Sequence, residues 1–302
     1  MLDRGHLLTE QRNPASRHLD EMTLDAAFDV MNTEDQRIPS AVAAAKREIV
    51  AAIEMVARAF EGGGRLIYIG AGTSGRLGVL DATECPPTFL TPPEMVQGII
   101  AGGPAALVRS IEGAEDDPSA GAAEIDCANV TSADVVFGIA AGGTTPFVHG
   151  AIRRAHERGA RTIFLACVPR EQADDHADIS IRVLTGPEVL SGSTRLKAGL
   201  ATKMVLNMIS TLAMVRIGKV YENLMVDVSA RACEKLTDRA IRTLCAATGL
   251  DRTAAHALLG RADWHVKTAI VMHHKRVEAD AARDLLDKSG GKTRIALGAP
   301  ER

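Results

Sequence analysis

The sequence predicts an α/β protein in which a parallel, doubly wound sheet is followed by a small helical domain. Five short apolar runs rich in β-forming residues recur in the first two thirds of the chain, at residues 66–69, 96–100, 135–140, 162–167 and 179–184. Helical patterns lie between several of them, and this alternation is typical of right-handed βαβ units. From about residue 234 only helical patterns follow. We therefore expect one domain over residues 1–233 and a second over 234–302.

Apolar spacing and end signals place the helices. The three glycines at 62–64 are expected to end the helix before the first strand, and Gly249 to end the first helix of the tail. Asp251 and Asp263 are expected N-caps of the next two. The helical patterns, in chain order, cover residues 24–31 (short), 39–60, 146–158, 196–217, 235–248, 252–259, 264–274 and 279–288.

Composition excludes several classes of protein. The chain has 302 residues, and its formal net charge of -3 argues against a general nucleic-acid binder. Only 3% of residues are aromatic, which argues against base-stacking surfaces. Five widely spaced cysteines without a C-x-x-C pair indicate a reduced, cytoplasmic protein. The start of the chain lacks a signal peptide, and Lys203, Asn207 and Arg216 interrupt the longest apolar helix, so we expect no membrane span.

The turn after the first apolar run carries most of the functional information. Residues 70–75 read Gly-Ala-Gly-Thr-Ser-Gly, which matches the dinucleotide-binding pattern G-x-G-x-x-G. That pattern also requires an acidic residue at the end of the second strand, where this chain has none. Hydroxyl groups at the start of a helix suit a terminal phosphate better, because the free N–H groups and the helix dipole favour an anion. A tight turn that binds nothing is the third interpretation. The favoured one is a phosphate or sugar phosphate site with Gly72, Thr73, Ser74 and Arg76 as candidate ligands.

A second cluster of hydroxyl and cationic side chains precedes the long apolar helix. Serine or threonine at a helix start is most often only a cap. This cluster has more such side chains than capping needs, so we expect it to meet the same phosphate from another direction. The candidates are Ser191, Ser193, Thr194 and Lys197.

Two carboxylates stand out as candidates for acid–base chemistry. Glu84 lies in a segment poor in cations, and Glu115 in a loop that contains glycine and proline. A pair of carboxylates at a phosphosugar site serves as acid and base when the two environments differ. The alternative is that Glu115 belongs to an ordinary solvated acidic loop. The nine histidines form no metal-binding pattern, and no Gly-x-Ser-x-Gly elbow supports a serine hydrolase.

Residues 70–89 closely resemble the signature of the N-acetylmuramic acid 6-phosphate etherases, bacterial cell-wall recycling enzymes with the sugar isomerase (SIS) fold. The glucokinase regulatory protein shares the SIS signature but is about twice as long and binds phosphosugars without turnover. Further matching segments are 9–14, 112–116, 186–189, 191–199 and 218–227, and the helical tail is similar to the family's ubiquitin-associated-like region.

The resemblance implies a three-layer α/β/α SIS fold with a five-stranded parallel sheet. It also implies cleavage of the D-lactyl ether of N-acetylmuramic acid 6-phosphate, to N-acetylglucosamine 6-phosphate and D-lactate, without metal or nucleotide cofactor. A base removes the C2 proton, lactate leaves from C3, and water adds to the unsaturated aldehyde. The resemblance assigns Glu84 as the acid that protonates lactate and activates the water, and Glu115 as the C2 base.

One segment departs from the family pattern. Where the family usually has Ala-Ala-Ser-Gly-Arg-Thr-Pro, residues 140–146 read Ala-Ala-Gly-Gly-Thr-Thr-Pro. A hydroxyl and a positive charge are therefore missing, and Thr144 and Thr145 are the candidates to replace them.

The resemblance also implies a homodimer with shared active sites, because a neighbouring subunit commonly completes SIS sites. The segment around Arg12 and Asn13 and the helical tail are candidates to reach across. Two alternatives remain at this stage. A non-catalytic phosphosugar sensor would bind ligand without releasing lactate, and a dehydrogenase would bind nicotinamide.

Overall fold

Residues 66–182 contain a five-stranded, fully parallel sheet, as the sequence predicts. The computed structural model describes residues 4–231 and 233–300. The strands are β1 (Leu66–Gly70), β2 (Val96–Ile100), β3 (Val135–Ile139), β4 (Arg161–Ala166) and β5 (Ile179–Arg182), in the spatial order β2-β1-β3-β4-β5. The order reverses beside β1, and ligands of such sheets bind at the carboxyl ends of the strands at this point.

Helices surround the sheet and continue into the tail. The predicted helix over 39–60 is two helices in the structure, because the chain breaks at Ala45. The helices are α1 (Leu24–Asp35), α2 (Ile38–Ala44), α3 (Lys46–Glu61), α4 (Gly72–Phe89), α5 (Pro118–Cys127), α6 (Pro146–Glu157), α7 (Lys197–Arg216), α8 (Glu234–Thr248), α9 (Arg252–Arg261), α10 (Val266–Lys275), α11 (Ala279–Lys288) and α12 (Thr293–Ala296).

Residue contacts divide the chain into two compact units. The first comprises Met1–Thr83 and Glu94–Ser210, and the second Glu84–Pro93 and Thr211–Arg302. This division differs from the boundary expected at residue 233, since the second unit also includes the end of α7. It also includes a small antiparallel pair, β6 (Val220–Tyr221) with β7 (Leu224–Met225).

The first unit buries its apolar residues around the sheet. All five residues of β1 and of β3 are buried, as expected for strands covered on both faces. Two glycines bring α5 and α6 into close contact: a Cβ at Gly121 would lie 1.9 Å from the Phe147 carbonyl oxygen, and one at Gly150 would lie 1.9 Å from that of Pro118. Only glycine allows the two backbones to approach this closely.

The second unit has its own helical core, in which Leu244, Leu259 and Ile270 are fully buried. Gly249 ends α8 in the left-handed conformation, and Asp251 caps α9 through the Ala254 N–H, as predicted. The expected cap at Asp263 is wrong, because Asp263 lies in a left-handed turn and α10 begins after His265.

By length and apolar composition alone α7 is a candidate membrane span. However, 56% of its most apolar stretch is buried inside the protein, as in the core helix of a folded domain.

Candidate active site

In the turn after β1, the backbone at Gly75 packs closely against Gly70 and against the end of β2. A Cβ at Gly70 would lie 2.8 Å from the Gly75 nitrogen, and one at Gly75 would lie 2.6 Å from Ile100 Cγ1. Glycine at both positions therefore lets the chain fold back tightly against β2. Gly72 opens α4 with a φ of +52° and has open space around it. The turn thus presents the start of α4, with its free N–H groups, at the carboxyl edge of the sheet.

The starts of α4 and α7 lie side by side. A Cβ at Gly199, near the start of α7, would lie 3.5 Å from the Thr73 methyl group. The start of α7, which follows the second predicted hydroxyl cluster, therefore lies beside the first cluster in the first unit, whereas Ser191 lines a separate pocket with Arg12 and Asn13. Among the described residues, no hydrogen bond engages the hydroxyls of the two clusters, so they are available to a ligand; they belong to Thr73, Ser74, Ser191, Ser193 and Thr194.

A cavity of about 150 Å³ brings the glycine turn together with Glu115. Its lining includes Gly72, Arg76, Glu112 and Glu115. Arg76 does not stand free at this cavity, because its guanidinium donates to the carbonyl oxygens of Leu107 and Arg109, at 3.3 and 3.1 Å. Arg76 therefore ties the loop before Glu115 to α4. Its charge remains beside the cavity.

Glu115 is also tied to α6. Its carbonyl oxygen accepts a hydrogen bond from the Phe147 N–H at 3.0 Å, while its side chain is exposed. Thr144 and Thr145 lie directly before α6, and the Thr145 side chain makes no capping bond. A hydrogen bond fixes the loop before α6 to that helix: the His149 imidazole donates through Nε2 to the Gly143 carbonyl oxygen at 2.7 Å.

Glu84 lies on the exposed side of α4, twelve residues after Gly72. It is not among the residues that line the cavity with Glu115. Two prolines, Pro86 and Pro87, follow inside the same helix. Proline lacks the N–H that would bond the preceding turn, so the carbonyl groups beside Glu84 lose their usual helical partners.

Lys197 departs from its predicted role as a phosphate ligand. Its side chain is 1% exposed, and Nζ donates to Glu34 Oε2 at 2.5 Å. Asn13 Nδ2 donates to the same carboxylate at 2.8 Å and to the Pro187 carbonyl oxygen at 3.0 Å. Burial opposes ionisation of Glu34, but the bonds from Lys197 and Asn13 outweigh it and lower its pKa. The ammonium group is therefore already neutralised inside the protein.

The same contacts correct the expected role of Asn13. Because its side chain is buried against Glu34 and Pro187 of its own chain, it does not reach toward a neighbour. Arg12 is exposed, and its guanidinium donates to the Arg17 carbonyl oxygen at 3.4 Å.

A larger pocket of about 520 Å³ lies at the opposite edge of the sheet. Its lining includes Val135 at the start of β3 and Arg161 at the start of β4. It is thus far from the loops that follow the strands, where parallel α/β sheets bind their ligands. We therefore place the candidate site at the smaller cavity.

Comparison with known proteins identifies the family. The chain is 55% identical to an N-acetylmuramic acid 6-phosphate etherase of Synechocystis over 98% of this chain and 97% of the relative. It is 56% identical to that of Gloeobacter violaceus and 57% identical to that of Trichormus variabilis, each over 98% of this chain and 96% of the relative. The chain belongs to the N-acetylmuramic acid 6-phosphate etherase family.

Domain models agree with this etherase family and with the fold. Residues 48–156 match the glucokinase regulatory protein N-terminal SIS domain, residues 118–212 match the SIS domain, and residues 238–275 match a UBA-like domain. Among solved structures, a phosphoheptose isomerase from Neisseria gonorrhoeae aligns over 63% of this chain and 98% of its own, at 16% identity and a TM-score of 0.47. One from Francisella tularensis aligns over 64% and 98%, at 17% identity and a TM-score of 0.42.

Sequence reasoning missed the residue that caps α7 in this etherase-family chain. Glu188 is fully buried, and its two carboxylate oxygens accept from the Lys197 and Ala198 N–H groups, each at 2.9 Å. Burial raises its pKa, against these two bonds. A glutamate nine residues before a helix gives no capping signal in sequence. Because Glu188 satisfies the helix start, the hydroxyls of Ser193 and Thr194 are not needed as caps.

Proposed function

We propose that this protein cleaves the D-lactyl ether of N-acetylmuramic acid 6-phosphate, giving N-acetylglucosamine 6-phosphate and D-lactate. The observation that carries the proposal is the cavity that unites the Gly72 turn with Glu115 in a chain of the etherase family. The turn offers an anion site and Glu115 offers a base, and both are needed for elimination from a phosphosugar.

The phosphate is held where the starts of α4 and α7 adjoin. Backbone N–H groups at the start of α4 and its helix dipole favour the anion. Thr73, Ser74, Ser193 and Thr194 supply hydroxyl donors that no other described residue engages. Arg76 adds positive charge without leaving its two carbonyl partners. Lys197 does not belong to this set, because its ammonium group forms a buried ion pair with Glu34.

The reaction is an elimination followed by addition of water. Opening of the sugar ring exposes the C1 aldehyde, which acidifies the C2 proton. Glu115 removes that proton, the electron pair forms the C2–C3 double bond, and the C3–O bond to lactate breaks. Glu84 donates a proton to the departing lactate oxygen. It then takes a proton from the water that adds to C3, and C2 is reprotonated.

The acid comes from a second copy of the chain. Glu84 is not among the residues that line the cavity with Gly72 and Glu115. Elimination needs the acid and the base at the same substrate, and the sites of the SIS fold that this chain resembles are commonly completed by a neighbouring subunit. We therefore infer a homodimer in which Glu84 of one copy serves the phosphate site of the other.

The finer description follows from the same chemistry. The enzyme is a carbon–oxygen lyase that needs neither metal nor nucleotide, since the aldehyde supplies the electron sink. Its substrate is a phosphorylated fragment of peptidoglycan, so we propose a cytoplasmic role in cell-wall amino sugar recycling.

Release of D-lactate from N-acetylmuramic acid 6-phosphate tests the proposal. We expect release by the wild type and a fall in kcat of at least about 100-fold for Glu84→Ala and for Glu115→Ala, because each removes a proton-transfer group. Glu124→Gln on α5 is the matched control and should retain wild-type rates. Tight binding of the substrate without lactate release would instead indicate a phosphosugar sensor, and full activity in either alanine variant would contradict the role of that glutamate.

Mixing the two inactive variants tests the shared site. If Glu84 and Glu115 act from different copies, a mixed dimer of Glu84→Ala and Glu115→Ala chains contains one intact site. Random exchange of subunits should then recover about a quarter of wild-type activity, since half of the dimers are mixed and each has one of two sites intact. No recovery after proven subunit exchange would place both glutamates in the same chain.

A further inference from the structure

Helix α1 buries little apolar surface within its own chain, where Ala27 and Val30 are only half-buried. It spans twelve residues, and the single buried residue in it is Glu34. Its three largest exposed apolar residues face solvent: Leu24 is 91% exposed, Phe28 67% and Met31 39%. These positions follow the i, i+4, i+7 spacing and therefore form one stripe along the helix.

Such a helix is not expected to be stable on its own. Isolated helices of about 12–15 residues are marginal in water, and most helices in proteins depend on packing of an apolar face. Polar contacts hold its two ends: Thr23 caps its start through the Ala26 N–H at 3.3 Å, and Glu34 pairs with Lys197 near its end. The apolar stripe, which would contribute most to the stability of α1 if it were packed, remains exposed to solvent.

Helix α7 has an exposed apolar stripe that also carries a basic residue. Leu200 is 46% exposed and Met208 38%, and the exposed Lys203 lies between them. Charge distinguishes the two helices as well. Apart from Glu34 and Lys197, which pair with each other inside the chain, α1 contains three acidic residues and no basic residue, whereas α7 contains two basic residues and no acidic residue. An acidic helix and a basic helix with exposed apolar stripes are suited to pack together.

We propose that α1 of one copy docks on the exposed face of α7 of a second copy. This inference rests on the homodimer of the proposed function and names the surface that forms it. In a twofold dimer the same contact occurs twice, so each α1 is covered by the partner and each α7 covers one. The Glu34–Lys197 pair fixes each α1 to the start of its own α7, beside the phosphate site. Docking of α1 on the partner therefore also secures the loop that carries Ser193 and Thr194.

Sedimentation of apolar-to-acid variants tests the surface without any substrate. The wild type should sediment as a dimer of two 32.0 kDa chains. Leu24→Asp combined with Phe28→Asp should weaken dimerisation at least about 100-fold, because the two most exposed apolar side chains of the α1 stripe become charged. Val50→Asp is the matched control, since Val50 is an exposed apolar residue on α3 (41%) outside the proposed interface. Unchanged dimerisation of the α1 variant would overturn the proposal.

A charge exchange tests the choice of α7. Lys203→Glu should weaken the dimer about tenfold through repulsion from the acidic α1, and adding Asp29→Lys in the same chain should restore much of the loss. Strictly additive weakening would overturn the assignment of α7 as the partner surface.

Hydrogen exchange of the wild type provides a measurement that needs no variant. The amides of α1 should be protected at concentrations where the protein is dimeric and should exchange faster after dilution to the monomer. Protection of α1 that does not depend on concentration would overturn the proposal. The lactate assay is independent of these measurements: a dimer that loses α1 protection on dilution but releases no lactate would leave the surface standing and reject the etherase reaction.

Discussion

Thr9 and Gly142 meet where this chain departs from the family pattern. Thr9 is fully buried, and its hydroxyl has no hydrogen-bond partner among the described residues. A Cβ at Gly142 would lie 3.7 Å from that hydroxyl, so a serine hydroxyl one bond further falls within hydrogen-bond range. The family pattern that residues 140–146 resemble has serine at this position. A serine at position 142 would therefore give the Thr9 hydroxyl the partner that it lacks.

We predict that Gly142→Ser stabilises the protein by about 1 kcal/mol, because it gives the buried Thr9 hydroxyl a partner. The backbone at Gly142 lies outside the left-handed region, so serine fits without strain. Calorimetry should show a melting temperature about 2 °C higher. Gly142→Ala adds the Cβ without the hydroxyl and is the control. Equal stability of the serine and alanine variants would contradict the proposed bond.

The buried Glu34–Lys197 pair makes stability depend on acid pH. The folded state lowers the pKa of Glu34 below its ordinary value of 4.5, so the unfolded chain takes up the proton first as the pH falls. The pair therefore contributes its full stabilisation above about pH 4.5 and loses it as the pH falls through the lower, folded-state pKa.

We predict that Glu34→Gln destabilises the protein by about 3–5 kcal/mol near neutral pH, because Lys197 is left charged and buried without its partner. The melting temperature of this variant should also fall less steeply than that of the wild type as the pH is lowered below about 4.5, where the wild type loses the contribution of the pair. Glu54→Gln is the control, since Glu54 is an exposed residue on α3 with a 3.9 Å ion pair to Arg58. An unchanged acid profile in Glu34→Gln would refute the role of the pair.

At the scale of elements, the contact between α5 and α6 links the fold to the site. Gly121 and Gly150 let the two helices touch, and the bond from the Phe147 N–H to Glu115 lies at the same contact. A side chain at Gly150 would force the helices apart and move the loop that carries the proposed base.

Gly150→Ala should therefore reduce both stability, by roughly 1–3 kcal/mol, and kcat/KM for lactate release. Gly260→Ala, on α9, is the matched control. A Cβ at Gly260 has no heavy atom within 4 Å, so this change should be neutral or stabilise by up to about 1 kcal/mol. Loss of stability with unchanged kcat/KM in Gly150→Ala would show that the contact does not position Glu115.

The elements that could be predicted from sequence are those with strong periodic patterns. All five strands and the long helix α7 lie within a few residues of their predicted positions, because each depends on a run of apolar residues. Nothing in the sequence signals the break at Ala45, and the sequence places the start of α10 too early, after Asp263. Both depend on how the chain packs after a turn, which local residue types do not reveal.

At the scale of the whole molecule, the sequence was enough to predict the glycine turn and the hydroxyl clusters. It did not reveal which charged residues near them are paired inside the protein. Lys197 lies beside Ser193 and Thr194 in sequence, yet its partner, Glu34, is 163 positions away. Glu188 likewise caps α7 from outside any local capping pattern. Such long-range pairs leave no periodic signal, so only the folded structure separates the buried lysine from the free hydroxyls.

The most direct test of the elimination mechanism is the reaction of N-acetylmuramic acid 6-phosphate in water enriched in oxygen-18. Elimination breaks the bond between C3 and the ether oxygen, so D-lactate keeps that oxygen and solvent oxygen enters at C3. We predict one labelled oxygen at C3 of N-acetylglucosamine 6-phosphate and none from solvent in the new hydroxyl of D-lactate. Label in that lactate hydroxyl, or no release of lactate, would contradict the account.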